Sequence, residues 1–216
     1  MRCTGRFAVI LLLLPVAVCT AGQRPLSFSA QFNVYRGSIV GRNKVDGISG
    51  ATHNLHSGTV GVEYNLHGHF LQGQLTFGRT KQTLTYNLPA EGISGTRDIN
   101  LLLLDLPLMY NFHFFNRERS GFISPRLILS TGGFFSIVLR QTITDTVLNA
   151  AGASSWALGP FVRAAYFPFT VRQLQPGIFL EFYRSFIPKF YDDRFFRDNA
   201  ISGQLGILST GFIFRL

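Results

Sequence analysis

The sequence predicts an all-β protein, a single closed antiparallel barrel of about eight strands that crosses a membrane. Three observations support this prediction. Apolar residues make up 46% of the chain, yet beyond the N-terminus no apolar run approaches the roughly 20 residues of a membrane-spanning helix. Apolar and polar residues alternate with the period of a β-strand. The connections between these segments alternate between long and short along the chain, as in outer-membrane barrels.

Residues 1–21 have the three-part layout of a cleaved secretory signal peptide. Arg2 and Arg6 give a positive start, and an apolar run follows over 7–18. Small residues then offer a cleavage site near Ala21. We therefore expect an exported protein.

The remaining chain, 22–216, is expected to form one outer-membrane barrel domain. Both cysteines, Cys3 and Cys19, lie in the N-terminal segment. The exported domain would therefore contain no disulfide and would depend on its closed ladder of hydrogen bonds. Lipid modification of Cys19 is an open alternative, although Val18 precedes it where a small residue is usual.

The chain is basic, with 20 Lys and Arg against 11 Asp and Glu and a formal net charge of +9. Removal of the signal peptide loses only Arg2 and Arg6, which leaves a net charge of +7. The basic residues are scattered singly in an exported chain, which argues against nucleic acid as a partner. Outer-membrane lipid, through its acidic headgroups, is the partner we expect instead.

Eight segments show the alternation expected of strands. The predicted strands are 26–35, 55–65, 69–79, 98–115, 121–139, 155–167, 175–186 and 200–216. Long connections are predicted at 37–54, 80–97, 140–154 and 187–199, and short ones at 66–68, 116–120 and 170–174. Gly132 and Gly133 predict a bend or a bulge in the fifth strand. The even strand count places both termini on the periplasmic side, below the short turns.

A secreted, lipocalin-like ligand-binding barrel is the main structural alternative. Its apolar face would point inward and its outer face would need charges to meet water. The polar face of the predicted strands is instead mostly Ser, Thr, Gln, Asn and Gly. Such small uncharged groups suit the interior of a narrow barrel, which favours the membrane protein.

Two segments resemble a known family of membrane barrels. The segment LLDLPLMYNF at 103–112 resembles the strand of PorT-like outer-membrane β-barrel proteins that carries an acidic residue, Pro-Leu and Tyr-x-Phe. The closing segment GFIFRL at 211–216 resembles their last strand, although this chain ends in Leu216 where an aromatic residue is usual. The resemblance implies a bacterial outer-membrane location and folding by the barrel assembly machinery. It also implies that the protein could be an accessory part of a secretion system.

Five charged residues fall on the face that would line the lumen: Glu63, Asp105, Arg126, Arg163 and Glu181. An eight-stranded barrel is only wide enough for side chains to fill it. A charge in that space must be paired or it costs several kcal/mol. We expect a structural network that fills the barrel, and a proton path or narrow ion path is the alternative.

Residues suited to catalysis or metal binding do not form a recognisable set. His56 and Ser57 are neighbours, but neighbours on a strand point to opposite faces. His67 and His69 flank a short turn without a third ligand nearby. We therefore predict no enzyme, no cofactor and no metal, with a lipid-modifying barrel enzyme as the alternative.

The predicted loop 187–199 mixes aromatic residues with charges of both signs, a composition typical of binding surfaces. The residues that would form an external contact surface are Phe190, Tyr191, Arg194, Phe195 and Phe196. We favour the other interpretation, a loop that folds back on the barrel rim. Together these features favour a non-enzymatic outer-membrane protein with a structural, adhesive or secretion-accessory role, with a possible protein partner at the external loops.

Overall fold

The structure is a computed structural model that describes residues 26–41, 47–66, 69–89, 92–114, 125–146, 151–187, 190–193 and 201–216. The described residues form eleven strands. They are β1 Leu26–Gly41, β2 Ile48–His53, β3 Leu55–Leu66, β4 His69–Leu88, β5 Ile93–Phe114, β6 Arg126–Asp145, β7 Ala151–Ala153, β8 Trp156–Phe167, β9 Gln175–Arg184, β10 Tyr191–Asp193 and β11 Ile201–Arg215. The described residues contain no helix that is long and apolar enough to span a bilayer. The predicted signal peptide, 1–21, lies outside the described residues.

Eight strands close into a ring, as predicted. Their order is β1-β3-β4-β5-β6-β8-β9-β11, and β11 pairs back with β1. This closing pair is antiparallel and runs from Ser29 opposite Arg215 to Gly41 opposite Gly203. A closed ring leaves no open edge along the barrel wall, so the backbone groups are satisfied by neighbouring strands.

Three short strands extend the wall at the end opposite Leu26 and Leu216, which we call the far end. β2 pairs with the last part of β4, and β10 joins β7 to β11. The long connection predicted at 80–97 is wrong in its bounds, because β4 continues to Leu88 and β5 begins at Ile93. Alternation in fact continues there, with Gln82, Leu84 and Tyr86 facing inward.

The outer face carries a belt of apolar side chains. Phe32, Leu108 and Phe212 are each more than 60% exposed. On β5 the outward residues are apolar or aromatic from Leu102 to Phe114, whereas the outward residues nearer the far end are polar. So large an exposed apolar surface is unstable in water and is typical of a lipid-facing barrel. It contradicts the soluble ligand-binding barrel.

The glycine pair in β6 has a different role from the one predicted. The ladder between β5 and β6 runs unbroken through Gly132 and Gly133, and its register shift lies between Leu102 and Leu103. A Cβ atom on Gly132 would come within 2.1 Å of the carbonyl oxygen of Leu108. Glycine is therefore required at 132 for the close approach of β5 rather than for a bulge, whereas a Cβ atom on Gly133 would meet only the carbonyl oxygen of Gly159, at 3.6 Å.

Inward side chains divide the lumen into two main layers. The polar layer consists of Gln31, Asn33, Thr59, Glu63, Gln72, Gln74, Thr76, Asn111, Ser130, Arg163 and Glu181. The apolar layer lies toward the far end and includes Tyr35, Leu84, Tyr86, Leu88, Ile99, Leu101, Leu103, Phe134, Phe161, Tyr183, Phe190, Leu205 and Ile207. A small apolar cluster of Ile128, Ala165, Phe167, Phe179 and Ile213 lies on the other side of the polar layer.

Candidate functional site

The polar layer is the candidate site, because it brings together charged side chains that the chain keeps far apart. Its members come from seven of the eight ring strands. Each side chain points inward because successive residues of a strand face opposite sides. Small residues make space for them, since a Cβ atom on Gly61 would lie within 3.0 Å of Ser29, Gln74 and Gln72.

Arg163 on β8 is the centre of the layer. Its Nη2 donates to Gln72 Oε1 at 2.5 Å, to Ser130 Oγ at 3.1 Å and to Asn111 Oδ1 at 3.4 Å. Its Nη1 lies 3.9 Å from Glu181 Oε1, and both side chains are at most 2% exposed. The guanidinium therefore joins four strands, which a hydrophobic side chain of the same size could not do.

Glu63 on β3 is the second centre. Its carboxylate accepts hydrogen bonds from Asn111 Nδ2 and from Arg215 Nη2. His113 Nε2 lies 3.2 Å from the same carboxylate. Arg215 also donates to Ser27 Oγ at 3.2 Å. Through Asn111, which is shared with Arg163, the two centres belong to one network.

Asp105 occupies a separate place near the apolar layer. Its carboxylate accepts hydrogen bonds from Tyr35 Oη at 2.5 Å and from Ser136 Oγ. The hydroxyl of Tyr183 donates to Glu181 Oε2 at 2.9 Å. Tyr35 and Tyr183 thus have their rings in the apolar layer, while their hydroxyls donate to the carboxylates of Asp105 and Glu181. This arrangement suits a side chain with an apolar ring and a polar hydroxyl.

The five charges predicted for the lumen network have three different placements. Glu63, Arg163 and Glu181 meet in the network, and Asp105 bonds Tyr35 and Ser136 instead. No contact among the described residues joins Arg126 to these acids, and it interacts electrostatically with Arg215.

Sequence reasoning missed two inward cations. Arg97 is completely buried and its guanidinium lies 5.7 Å from the centre of the Tyr86 ring. It was assigned to a connection rather than to β5. Arg215 stands between the apolar residues Phe214 and Leu216, and this alternation indicates that Arg215 points inward.

The layers together fill the lumen among the residues that the structure describes. The polar layer fills the middle of the lumen with mutually bonded groups. The apolar layer covers it on the far side with side chains that are no more than 7% exposed. No group of three or more metal-ligating side chains is present in the part of the chain that the structure describes.

Phe190 is part of the apolar layer and not of an exposed contact surface. Its side chain is completely buried, and its carbonyl oxygen accepts a hydrogen bond from the Ser154 amide at 2.6 Å. The assignment of Phe190 to an external contact surface is therefore wrong, because its side chain packs in the apolar layer. This burial agrees with a loop that folds back on the barrel. The side chain of Tyr191 and residues Arg194, Phe195 and Phe196 lie outside the described part of the structure.

Comparison with known proteins identifies the fold. No protein-family model matches the chain, and no curated protein matches its sequence. Among solved structures it is similar to the outer membrane protein OprG from Pseudomonas aeruginosa, at 7% identity and a TM-score of 0.56, over 88% of this chain and 95% of that one. It also aligns with Neisserial surface protein A at 12% identity and a TM-score of 0.45, over 89% of this chain and 98% of that one. At these identities the likeness concerns the fold alone.

Proposed function

We propose that this protein is a non-enzymatic integral β-barrel of the bacterial outer membrane whose lumen is closed and whose function lies at its external end. The signal peptide predicted at 1–21 accounts for export, and the barrel assembly machinery for insertion. Outer-membrane lipid surrounds the apolar belt. The outward exposure of Phe32, Leu108 and Phe212 supports this location.

The orientation follows from the connections. The first and last described residues, Leu26 and Leu216, lie at the same end as the Leu66–His69 pair and the Val171–Leu174 turn. This is the periplasmic end in barrels of this kind. The far end is then external. It carries β2, β7 and β10, and β4 extends about ten residues past Phe77, an outward residue of the belt. This wall beyond the membrane is the surface that a partner protein would meet.

The observation on which the proposal depends is the filled lumen. Arg163 and its partners occupy the middle of the barrel, and Phe134, Phe161 and Phe190 pack above them. A role in diffusion through the barrel is inconsistent with this filling, since eight strands enclose space only for side chains. A structural, adhesive or secretion-accessory role remains, and the resemblance of 103–112 to PorT-like barrels supports the secretion-accessory form.

The proposal is tested by inserting the folded protein into planar bilayers beside a porin of known conductance. Unboiled protein should migrate faster on a gel than boiled protein and resist protease, as a closed barrel does. We expect no conductance steps from protein that passes these two criteria. Steady ion conductance by that protein would contradict a closed lumen, and recovery in a soluble fraction would contradict membrane insertion.

A further inference from the structure

Charges on the outer face are unevenly distributed just beyond the apolar belt, on the side formed by β1 to β6. The outward basic residues there are Arg36, His53, His56, Arg79, Lys81 and Arg140. Asp98 is the one outward-facing acid among the side chains that the structure describes. This part of the wall is therefore a cationic surface at the edge of the lipid-facing belt.

Arg79 and Arg140 are the central pair of this surface. Arg79 is opposite Leu102 in the β4–β5 ladder, and Leu102 is opposite Arg140 in the β5–β6 ladder. All three side chains face outward, so the two arginines flank Leu102 at a separation of about 10 Å, or two strand spacings. Phe77 lies two residues nearer the membrane centre on the same face of β4, and it is 53% exposed.

These two arginines differ from their neighbours in their partners. Lys81 Nζ lies 2.9 Å from the carboxylate of Asp98, and Arg36 Nε donates to Thr52 Oγ1 at 2.5 Å. No carboxylate of a described residue forms an ion pair with Arg79 or Arg140. Two exposed guanidinium groups, neither of them paired with an acid whose side chain the structure describes, lie directly beside lipid-facing residues. They present donors that match the oxygens of a phosphate.

We propose that Arg79 and Arg140 bind the phosphate of a lipid headgroup in the leaflet at the far end, while Leu102 contacts the lipid beneath it. The inference rests on the membrane insertion and orientation proposed above. A lipid is the source favoured by position, since the pair lies where the apolar belt ends. Anionic lipids attract basic residues near a membrane surface, and the attraction weakens as salt is added.

The test uses the refolded barrel in neutral phosphatidylcholine nanodiscs with increasing phosphatidylglycerol, and native mass spectrometry to count the bound anionic lipid. We expect Arg79→Gln with Arg140→Gln to weaken phosphatidylglycerol binding by about fivefold for each arginine, roughly 25-fold together. The matched control is Arg172→Gln with Arg184→Gln, which removes the same charge from a turn at the other end and from the far end of β9. Arg184 suits this control because its Nε already donates to Gln204 Oε1 at 2.9 Å. Its binding should stay within about twofold of the wild type.

The outcomes separate the two proposals. A barrel that inserts but binds phosphatidylglycerol no better than phosphatidylcholine overturns the lipid site and leaves the proposed function intact. Equal losses in both double variants also overturn it, because the effect would then be of net charge alone. Displacement of the lipid by millimolar inorganic phosphate would show a free-phosphate site and overturn the assignment to lipid. A protein that fails to insert would instead contradict the proposed function.

Discussion

The two main layers of the lumen fill the same kind of space by different physical means. In the polar layer each group depends on particular partners, as Arg163 depends on Gln72 and Glu181. In the apolar layer Phe134 and Phe161 both pack edge-on against the Tyr183 ring, with centroids 5.3 Å and 4.8 Å apart. The first layer is therefore sensitive to an unpaired charge, and the second to an unfilled volume.

The largest effect is expected in the polar layer. Arg163→Ala would leave the buried carboxylate of Glu181 without the guanidinium beside it, and we expect it to lower the free energy of unfolding by about 4 kcal/mol. Urea unfolding of the folded protein in lipid vesicles would measure the loss. Arg163→Leu with Glu181→Leu removes both charges and should recover part of the stability, since Gln72 and Ser130 still lose their donor. A double variant as unstable as the single one would contradict the pairing argument.

A somewhat smaller effect is expected in the apolar layer. Leu103 is completely buried, and Leu103→Ala should cost about 3 kcal/mol through lost burial and the cavity left behind. The next residue, Leu104, faces outward to the lipid, so Leu104→Ala is a matched control that leaves no internal cavity. Equal shifts of the unfolding midpoint in the two variants would show that this layer is not a packed core.

A substitution at Gly78 tests the packing at the boundary between the two layers. A Cβ atom on Gly78 would lie 3.0 to 3.2 Å from the ring of Tyr35, whose hydroxyl bonds Asp105. We expect Gly78→Ala to displace this ring and to cost about 2 kcal/mol as overpacking. In Gly73→Ala, the control on the same strand, the new Cβ atom meets no other atom within 4 Å. Unchanged stability in both would mean that the ring moves freely.

The smallest effect is expected outside the lumen and beyond the belt. A hydrogen bond from Thr83, followed by one from Lys81, holds the pKa of the Asp98 carboxyl below its ordinary value of 3.8. A carboxyl whose pKa is lower in the folded state than in the unfolded state stabilises the fold at pH values above its unfolded pKa. That stabilisation is lost as the pH falls through the folded pKa. NMR titration should show Lys81→Gln raising that pKa, with a change in stability below about 1 kcal/mol. A midpoint unmoved by the substitution would contradict the contribution of Lys81.

Much of the barrel was determined by the sequence alone. Alternation over short stretches, such as 26–35 and 156–166, predicted the strands and the faces that meet lipid, because the two faces of a strand differ at every second residue. The same alternation placed Glu63, Asp105, Arg163 and Glu181 in the lumen. These are local properties of the chain, and they do not depend on which strand lies beside which.

Only the tertiary structure decided which inward groups meet. Arg163 and Gln72 are 91 residues apart, and their contact requires the register of every ladder between β4 and β8. The same closure decided that Asp105 bonds Tyr35 rather than an arginine, that Arg97 is buried beside Tyr86, and that Phe190 covers the lumen. Register arises from pairing between distant segments, and a shift of one residue exchanges the inward and outward faces of a strand. The alternation of a single strand therefore fixes which way its side chains point, and ring closure fixes their partners.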